Sequence, residues 1–188
     1  MSYEIKKNIS NICKNIIITD DIEGVSVTKI MRIADMRRQS FYDYFLDKYD
    51  VIEWTFHDDL DTMIHDHTTY ANWSNLVLDL CCYFYDNQKF YRRIFSHHCS
   101  INALAEKIIK ENIQRLIQLI LKDMLQTEHI FFDNGYTQFV TNIFTQAIFG
   151  EIETWINQLV PLQPDTEAHY MITFIQDTMI GAQNRIVY

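Results

Sequence analysis

The chain has 188 residues, enough to bury one sizeable core or to set a small head on a larger body. Apolar residues make up 48% and charged residues 22%, and with only four Gly and two Pro there are few breaks, so the chain is expected to be nearly all helix. A net charge of −9 excludes indiscriminate nucleic-acid binding over the whole surface, while Cys13, Cys81, Cys82 and Cys99, without CxxC spacing or a secretory leader, exclude a zinc knuckle or a disulfide framework. The cysteines read as reduced core residues of a cytoplasmic protein, and no stretch approaches the roughly eighteen consecutive apolar residues of a membrane span.

The first helix is predicted from Tyr3 to Thr19, with Ile5, Ile9, Ile12, Cys13, Ile16 and Ile17 along one face. Lys6, Lys7 and Lys14 fall off that stripe, either as solvated side chains or, for Lys6 and Lys7, as phosphate contacts. Gly24 closes the turn that follows. Ser26 is an N-cap residue type, and Val27, Ile30, Met31 and Ala34 then recur at helical spacing. Asp35 stands where a chain turning sharply between two helices needs a left-handed residue, which Asp bears better than most. A second short helix, Arg37 to Tyr44, is predicted to turn Phe41 and Phe45 inward. From Ser26 to Lys48 there are five basic residues against three acidic, so this window is +2 and the rest of the chain −11. A small binding face on an acidic body is the expectation.

The stretch IMRIADMRRQSFYDYFLDKYDVI resembles the helix-turn-helix of the TetR family: Ile30, Ala34, Met36, Phe41, Tyr42, Tyr44, Phe45, Lys48 and Val51 fall on the family pattern. Asp35 replaces the family's turn glycine, Arg37 its serine cap and Met31 its first alanine. The wording RRQSFYDYFLDKYDVIEW is closer still to a subgroup of TetR-like activators of dihydroxyacetone kinase genes. The expected architecture is all-α, with a three-helix helix-turn-helix DNA-binding head at residues 1–50 and a helical-bundle regulatory and dimerisation body at 51–188. The resemblance further implies a double-stranded DNA operator, no catalysis, and a protein co-activator that resembles a kinase subunit and carries dihydroxyacetone. The residues of the head suit this use, because Arg pairs bidentately with guanine, Gln with adenine and Ser with either. Arg37, Arg38, Gln39 and Ser40 are therefore assigned to base edges. Tyr42, Tyr44 and Lys48 are assigned to phosphates, a role the resemblance also carries, with a partly core position as the alternative for Tyr42.

In the body, Asp47 is expected to cap a fourth helix reaching roughly His67, followed by helices over Asn72–Tyr85, Lys89–Phe95, Ile101–Leu125, Tyr136–Val160 and Asp165–Gln183. Asp86-Asn87 breaks the fifth, Thr127 to Gly135 is a loop, and Pro161 and Pro164 stop the penultimate helix. The last two helices carry more apolar surface than one neighbour covers, which points to a homodimer joined through Ile148, Ile152, Trp155, Ile175 and Met179, with its two heads about 34 Å apart. Packing inside the monomer is the competing use of these side chains.

Two other classes compete. His57, Asp61 and His65 recur at i, i+4, i+8 with Asp58, Asp66 and His67 nearby, the spacing of a metal-dependent enzyme or sensor, but an exposed polar helix face has the same spelling. No metal or other cofactor is assigned, and GxSxG, Walker, GxGxxG and HExxH motifs are absent. Trp73, Tyr83, Phe84, Tyr85, Tyr91, Phe95, Phe139 and Phe144 either line a pocket or fill a core, the former making the protein a repressor that binds a small hydrophobic effector directly. Dihydroxyacetone, tiny and polar, would bury its hydroxyls at a cost among Ile, Leu, Phe and Met, so the signal is expected to be read by a partner protein docked on an acidic, aromatic-bearing face.

Overall fold

Helix α1 (Ser2–Asp20) turns Ile9, Ser10, Cys13, Ile16 and Ile17 inward, the predicted stripe with one polar member added and with Ile5 and Ile12 only half-buried. The computed structural model describes residues 2–20, 22–64, 69–96 and 99–184, and every regular element among them is helical. Two compact units are found, Met1–Leu60 with Gln88–Ile109 and Asp61–Asn87 with Lys110–Tyr188.

In the first unit a 3-10 turn (Ile22–Gly24) leads into α2 (Val27–Ile33), whose N-cap Ser26 accepts from the Lys29 amide at 3.2 Å. The helix closes on a left-handed Asp35, φ 53°, with the Met36 amide on the Met31 carbonyl (2.9 Å) and the Asp35 amide on that of Arg32 (3.3 Å). This double closure is a Schellman motif, with Asp doing the work usually given to Gly. The next element differs from expectation. Arg38–Asp43 is a 3-10 helix rather than an α-helix over 37–44, because its N-cap Arg37 makes no side-chain capping bond and six residues offer few turns to propagate. Phe41 and Phe45 still point inward, 0% and 3% exposed.

The predicted fourth helix is therefore α3 (Lys48–Ile64), with Asp47 accepting from the Tyr49 and Asp50 amides at 2.8 and 3.0 Å. The predicted continuation to His67 lies outside the described residues. Val51, Ile52, Phe56 and Leu60 of α3 join Phe90, Tyr91 and Ile94 of α5 (Gln88–Ile94) in the core, with the Phe56 ring stacked on Tyr91 at 6.1 Å. A polar seam crosses between α1 and α3: Ser10 meets Thr55 at 2.8 Å, and Lys7 and Lys14 both bind Asp59.

The second unit packs α4 (Trp73–Asp86), entered through a 3-10 turn (Tyr70–Asn72), against α8 (Pro164–Asn184) and α7 (Asn134–Asn157). The latter part of α6 (Asn102–Thr127) adds Ile113, Leu116, Leu121 and Met124 to its core. Asp133 caps α7 two residues earlier than expected by accepting from the Tyr136 amide at 2.9 Å. The helix ends three residues earlier too, where Gln158 turns extended. Pro164 does not stop α7; it is the first residue of α8, where a missing amide costs nothing.

For two of the expected dimer residues the competing use, packing inside the monomer, holds. Ile152 and Trp155 are 0% exposed within the single chain, Trp155 with its indole N–H on the Leu162 carbonyl at 3.0 Å, so neither has surface to offer a partner. Ile148, Ile175 and Met179 are half-buried and line a cavity that opens to solvent, with Phe139 and Ile143 also on its wall. The exposed apolar side chains of these helices include instead Phe139, Ile143 and Phe174, at 59%, 53% and 57%, with Tyr170 and Ile180 also exposed on α8.

Candidate nucleic-acid interface and apolar cavity

Burying Phe41 and Phe45 on one side of the short 3-10 helix leaves its polar residues outside. Arg37, Arg38 and Gln39 are exposed and side by side, and Ser40 is half-buried beside them. These are donors and acceptors suited to base edges, carried on a rigid turn whose Ser40 amide is held by the Arg37 carbonyl at 3.0 Å. Tyr42 is 55% exposed, with only its ring edge against Phe41, so it is a surface side chain and not a core one. Tyr44 is half-buried at the C-cap of the same turn.

Lys48 is less free than its sequence position suggests. Its ammonium donates to the Ile22 carbonyl at 3.1 Å and lies 5.3 Å from the Tyr49 ring centre, so it pins the first turn of α3 to the Ile22–Gly24 turn. An ammonium has three donors, which leaves others for a phosphate. Lys7 is committed elsewhere, at 2.6 Å from Asp58 and 2.8 Å from Asp59. Burial opposes its charge, but the hydrogen bonds to those carboxylates outweigh it and raise its pKa to about 12. Lys6 sits over the Phe45 ring at 5.2 Å. Sequence reasoning missed Ile33 and Leu46, 53% and 82% exposed, because apolar residues at the edges of short elements carry no periodic signal.

The second unit holds a cavity of about 380 Å³ between α4, α6, α7 and α8. Its wall is nearly all apolar, with Leu76, Leu80, Leu116, Ile120, Met124, Ile148 and Met179 among the contributors, and no charged side chain lines it. Of the aromatic residues singled out in the sequence, Trp73, Phe139 and Phe144 reach the wall. Phe84, Tyr91 and Phe95 are buried core residues, and Tyr85 stacks on Trp155. Phe132 and Tyr136 also line the cavity, in edge contact at 4.8 Å; they lie at a loop-to-helix junction that the stripe pattern does not reach.

Among the described residues, no group of three His, Cys, Asp or Glu is arranged to hold a metal ion. Asp61 binds Arg115 at 2.5 Å and Asp58 binds Lys7, whereas His65, Asp66 and His67 lie outside the described residues. Cys13 and Cys81 are buried thiols whose pKa rises by burial to about 12, inert positions for chemistry. No described helix is long and apolar enough to cross a membrane.

Residues 71–177 match the family described as the transcriptional regulator C-terminal region, TetR_C_8. The HTH-type dhaKLM operon transcriptional activator DhaS of Lactococcus lactis subsp. lactis (strain IL1403) is 36% identical over 90 residues, 48% of this chain and 48% of that protein, so the match spans about half the length of each. Among solved structures, the dihydroxyacetone kinase operon activator DhaS superposes with a TM-score of 0.78 at 22% identity, covering 93% of this chain and 95% of that one. A putative TetR-family regulator from Syntrophomonas wolfei gives 0.70 at 15% identity over 96% and 97% of the two chains. The fatty acid degradation regulator FadR from Bacillus halodurans gives 0.66 at 14% over 89% and 92%. These structural likenesses carry the all-α fold, and the relatives are regulators rather than enzymes. With more than half of this chain matched by that C-terminal-region family, the chain belongs to the TetR family of transcriptional regulators.

Proposed function

We propose that this regulator activates dihydroxyacetone kinase genes, binding a two-fold DNA operator as a cytoplasmic homodimer through residues 1–50 and receiving its signal from a kinase-like co-activator that carries dihydroxyacetone. The observation that carries the assignment is the 36% identity to the dhaKLM operon activator. The cavity supports the indirect route for the signal, since dihydroxyacetone would leave its carbonyl and hydroxyls without partners against a wall of Ile, Leu, Met and Phe. Arg37, Arg38, Gln39 and Ser40 read base edges, with Tyr42, Tyr44 and Lys48 on phosphates. The two copies join through the outward faces of α7 and α8, with Phe139, Ile143 and Phe174 replacing Ile152 and Trp155 as the central contacts. From Asn134 to Gly150 α7 carries no charged residue, which suits the core of a self-complementary interface.

The test pairs the chain with DNA from upstream of dihydroxyacetone kinase genes. Binding measured by fluorescence anisotropy, and reporter expression that rises only when the kinase-like subunit and dihydroxyacetone are both present, are the expected results. Saturable binding of dihydroxyacetone to this chain alone would remove the indirect route. The same cavity favours a second reading, a repressor released by a small neutral hydrophobic effector, because its volume falls in the range of ligand pockets and its wall offers apolar contact without a counter-charge.

A further inference from the structure

Leu159 and Val160, between α7 and α8, are 98% and 84% exposed, and Leu162 is 43% exposed. Three large apolar side chains in four residues of water-facing loop are a cost unless something covers them. The backbone beneath them is firmly anchored. The Gln158 amide closes on the Trp155 carbonyl at 3.1 Å, the buried Trp155 indole donates to the Leu162 carbonyl at 3.0 Å, and the Gln163 side-chain amide donates to the Tyr85 hydroxyl at 3.0 Å. The Tyr85 ring in turn stacks on Trp155 at 6.0 Å. Pro161 biases Val160 towards extended backbone. A segment held this way at both ends loses little freedom on docking, which is the condition for a preformed anchor.

Charge says what docks there. Residues 134–184 contain no Lys or Arg, while Glu151, Glu153, Asp165 and Asp177 are carboxylates outside the core, Glu167 being buried. Helix α4 brings Asp79 and Asp86 and no base. Asp165 follows two residues after Gln163, and Asp86 follows directly on the Tyr85 to which Gln163 donates. A second copy offering the same end would set carboxylates against carboxylates, whereas a basic rim would meet them favourably. We infer that Leu159, Val160 and Leu162, with Asp165 three residues on and Asp86 next to the Tyr85 that Gln163 bonds, form the docking face for a separate protein with an apolar cleft bordered by Lys and Arg. This rests on the co-activator reading and names the surface that reading requires. It is distinct from the uncharged outward face of α7 assigned to the second copy.

The test titrates the whole chain with a recombinant dihydroxyacetone-kinase-like subunit loaded with dihydroxyacetone, followed by calorimetry at two salt concentrations. Leu159→Ser combined with Val160→Ser should weaken the complex by at least about tenfold, the scale expected when two anchors are truncated. Asp165→Lys should weaken it and reduce its salt dependence. Operator affinity and sedimentation should stay at wild-type values in both variants, and the melting temperature in the double variant, whereas Asp165→Lys, which puts a cation in the first turn of α8, should lower it slightly. Equal affinity of the double variant and the wild type would overturn the docking face and leave the co-activator reading intact, whereas a wild-type chain that binds no such subunit removes both. Loss of self-association in the double variant would give the segment to a second copy and overturn the proposal as well.

Discussion

At the scale of single residues, the head turns on Asp35. Its left-handed φ of 53° is strained for a side chain with a Cβ, though less so for Asp than for most, and the Schellman closure around it sets where the 3-10 helix begins. Asp35→Gly should therefore keep or raise stability, by about 0.5 kcal/mol, and Asp35→Val should cost about 1–2 kcal/mol in urea unfolding. A glycine variant clearly less stable than wild type would mean that the aspartate side chain contributes more than its backbone costs. Arg38→Ala and Gln39→Ala, both exposed, should leave the melting temperature unchanged and each lose about 1–3 kcal/mol of discrimination between operator and mismatched DNA. Lys48→Ala should do two things, because the same ammonium holds the Ile22 carbonyl: flatten the salt dependence of binding to any DNA and cost about 1 kcal/mol of stability. Wild-type stability with a flattened slope would show that the carbonyl contact is idle.

Between elements, the α1–α3 seam is the feature the helical pattern did not announce. Asp59 accepts from Lys7 and Lys14, each at 2.8 Å, at a position where its side chain is only 10% exposed. Burial by itself would raise its pKa, but the charges and hydrogen bonds of Lys14 and Lys7 outweigh that and hold it below the ordinary carboxylate value. A carboxylate whose folded pKa is depressed stabilises above its unfolded pKa, about 4, and loses that contribution as pH falls through the lower folded value. Asp59→Asn should thus destabilise by about 1–3 kcal/mol near neutral pH, with the gap to wild type narrowing as pH falls below about 4. A gap that stays constant across this range would point to lost packing rather than a lost charge. Ser10 and Thr55 are bonded to each other at 2.8 Å under the same seam, and the Thr55 hydroxyl also donates to the Val51 carbonyl at 2.6 Å, so Ser10→Ala, which leaves Thr55 with that bond, should cost less than Thr55→Val, which takes the bond away from a buried Ser10.

At the scale of the whole molecule, self-association and the cavity can be tested separately. Phe174→Asp alters an exposed position that is not on the cavity wall, so the monomer should still fold while the dimer dissociates in sedimentation at micromolar concentration. Dimers unaffected by this change would move the interface off this face. A neutral long-chain alcohol should raise the melting temperature by filling the cavity, whereas dihydroxyacetone should not, because a ligand stabilises only through preferential binding to the folded state, by about 2.7 kcal/mol at a hundredfold excess over its Kd. Stabilisation by dihydroxyacetone alone would restore a direct sensor.

The sequence by itself determined what local pattern governs. The stripes of α1 and α6, the Ser26 and Asp47 caps and the left-handed turn at Asp35 are all written in spacing and residue type, because a helix turns its face every three or four residues and a cap is a single side chain on a nearby amide. Exposure of Arg37, Arg38 and Gln39 was legible for the same reason, being the remainder once Phe41 and Phe45 go inward. Tertiary structure decided which apolar faces meet. Trp155 and Ile152 read as interface from spacing alone, yet they fill the core, while Phe139, Ile143 and Phe174 on the same helices are left outside. Periodicity names a face but not its neighbour, and a lysine such as Lys7 or Lys48 reads as free until packing brings a carboxylate or a carbonyl within 3.1 Å. The cavity belongs to this second class, since it is space left between four helices and no one of them spells it.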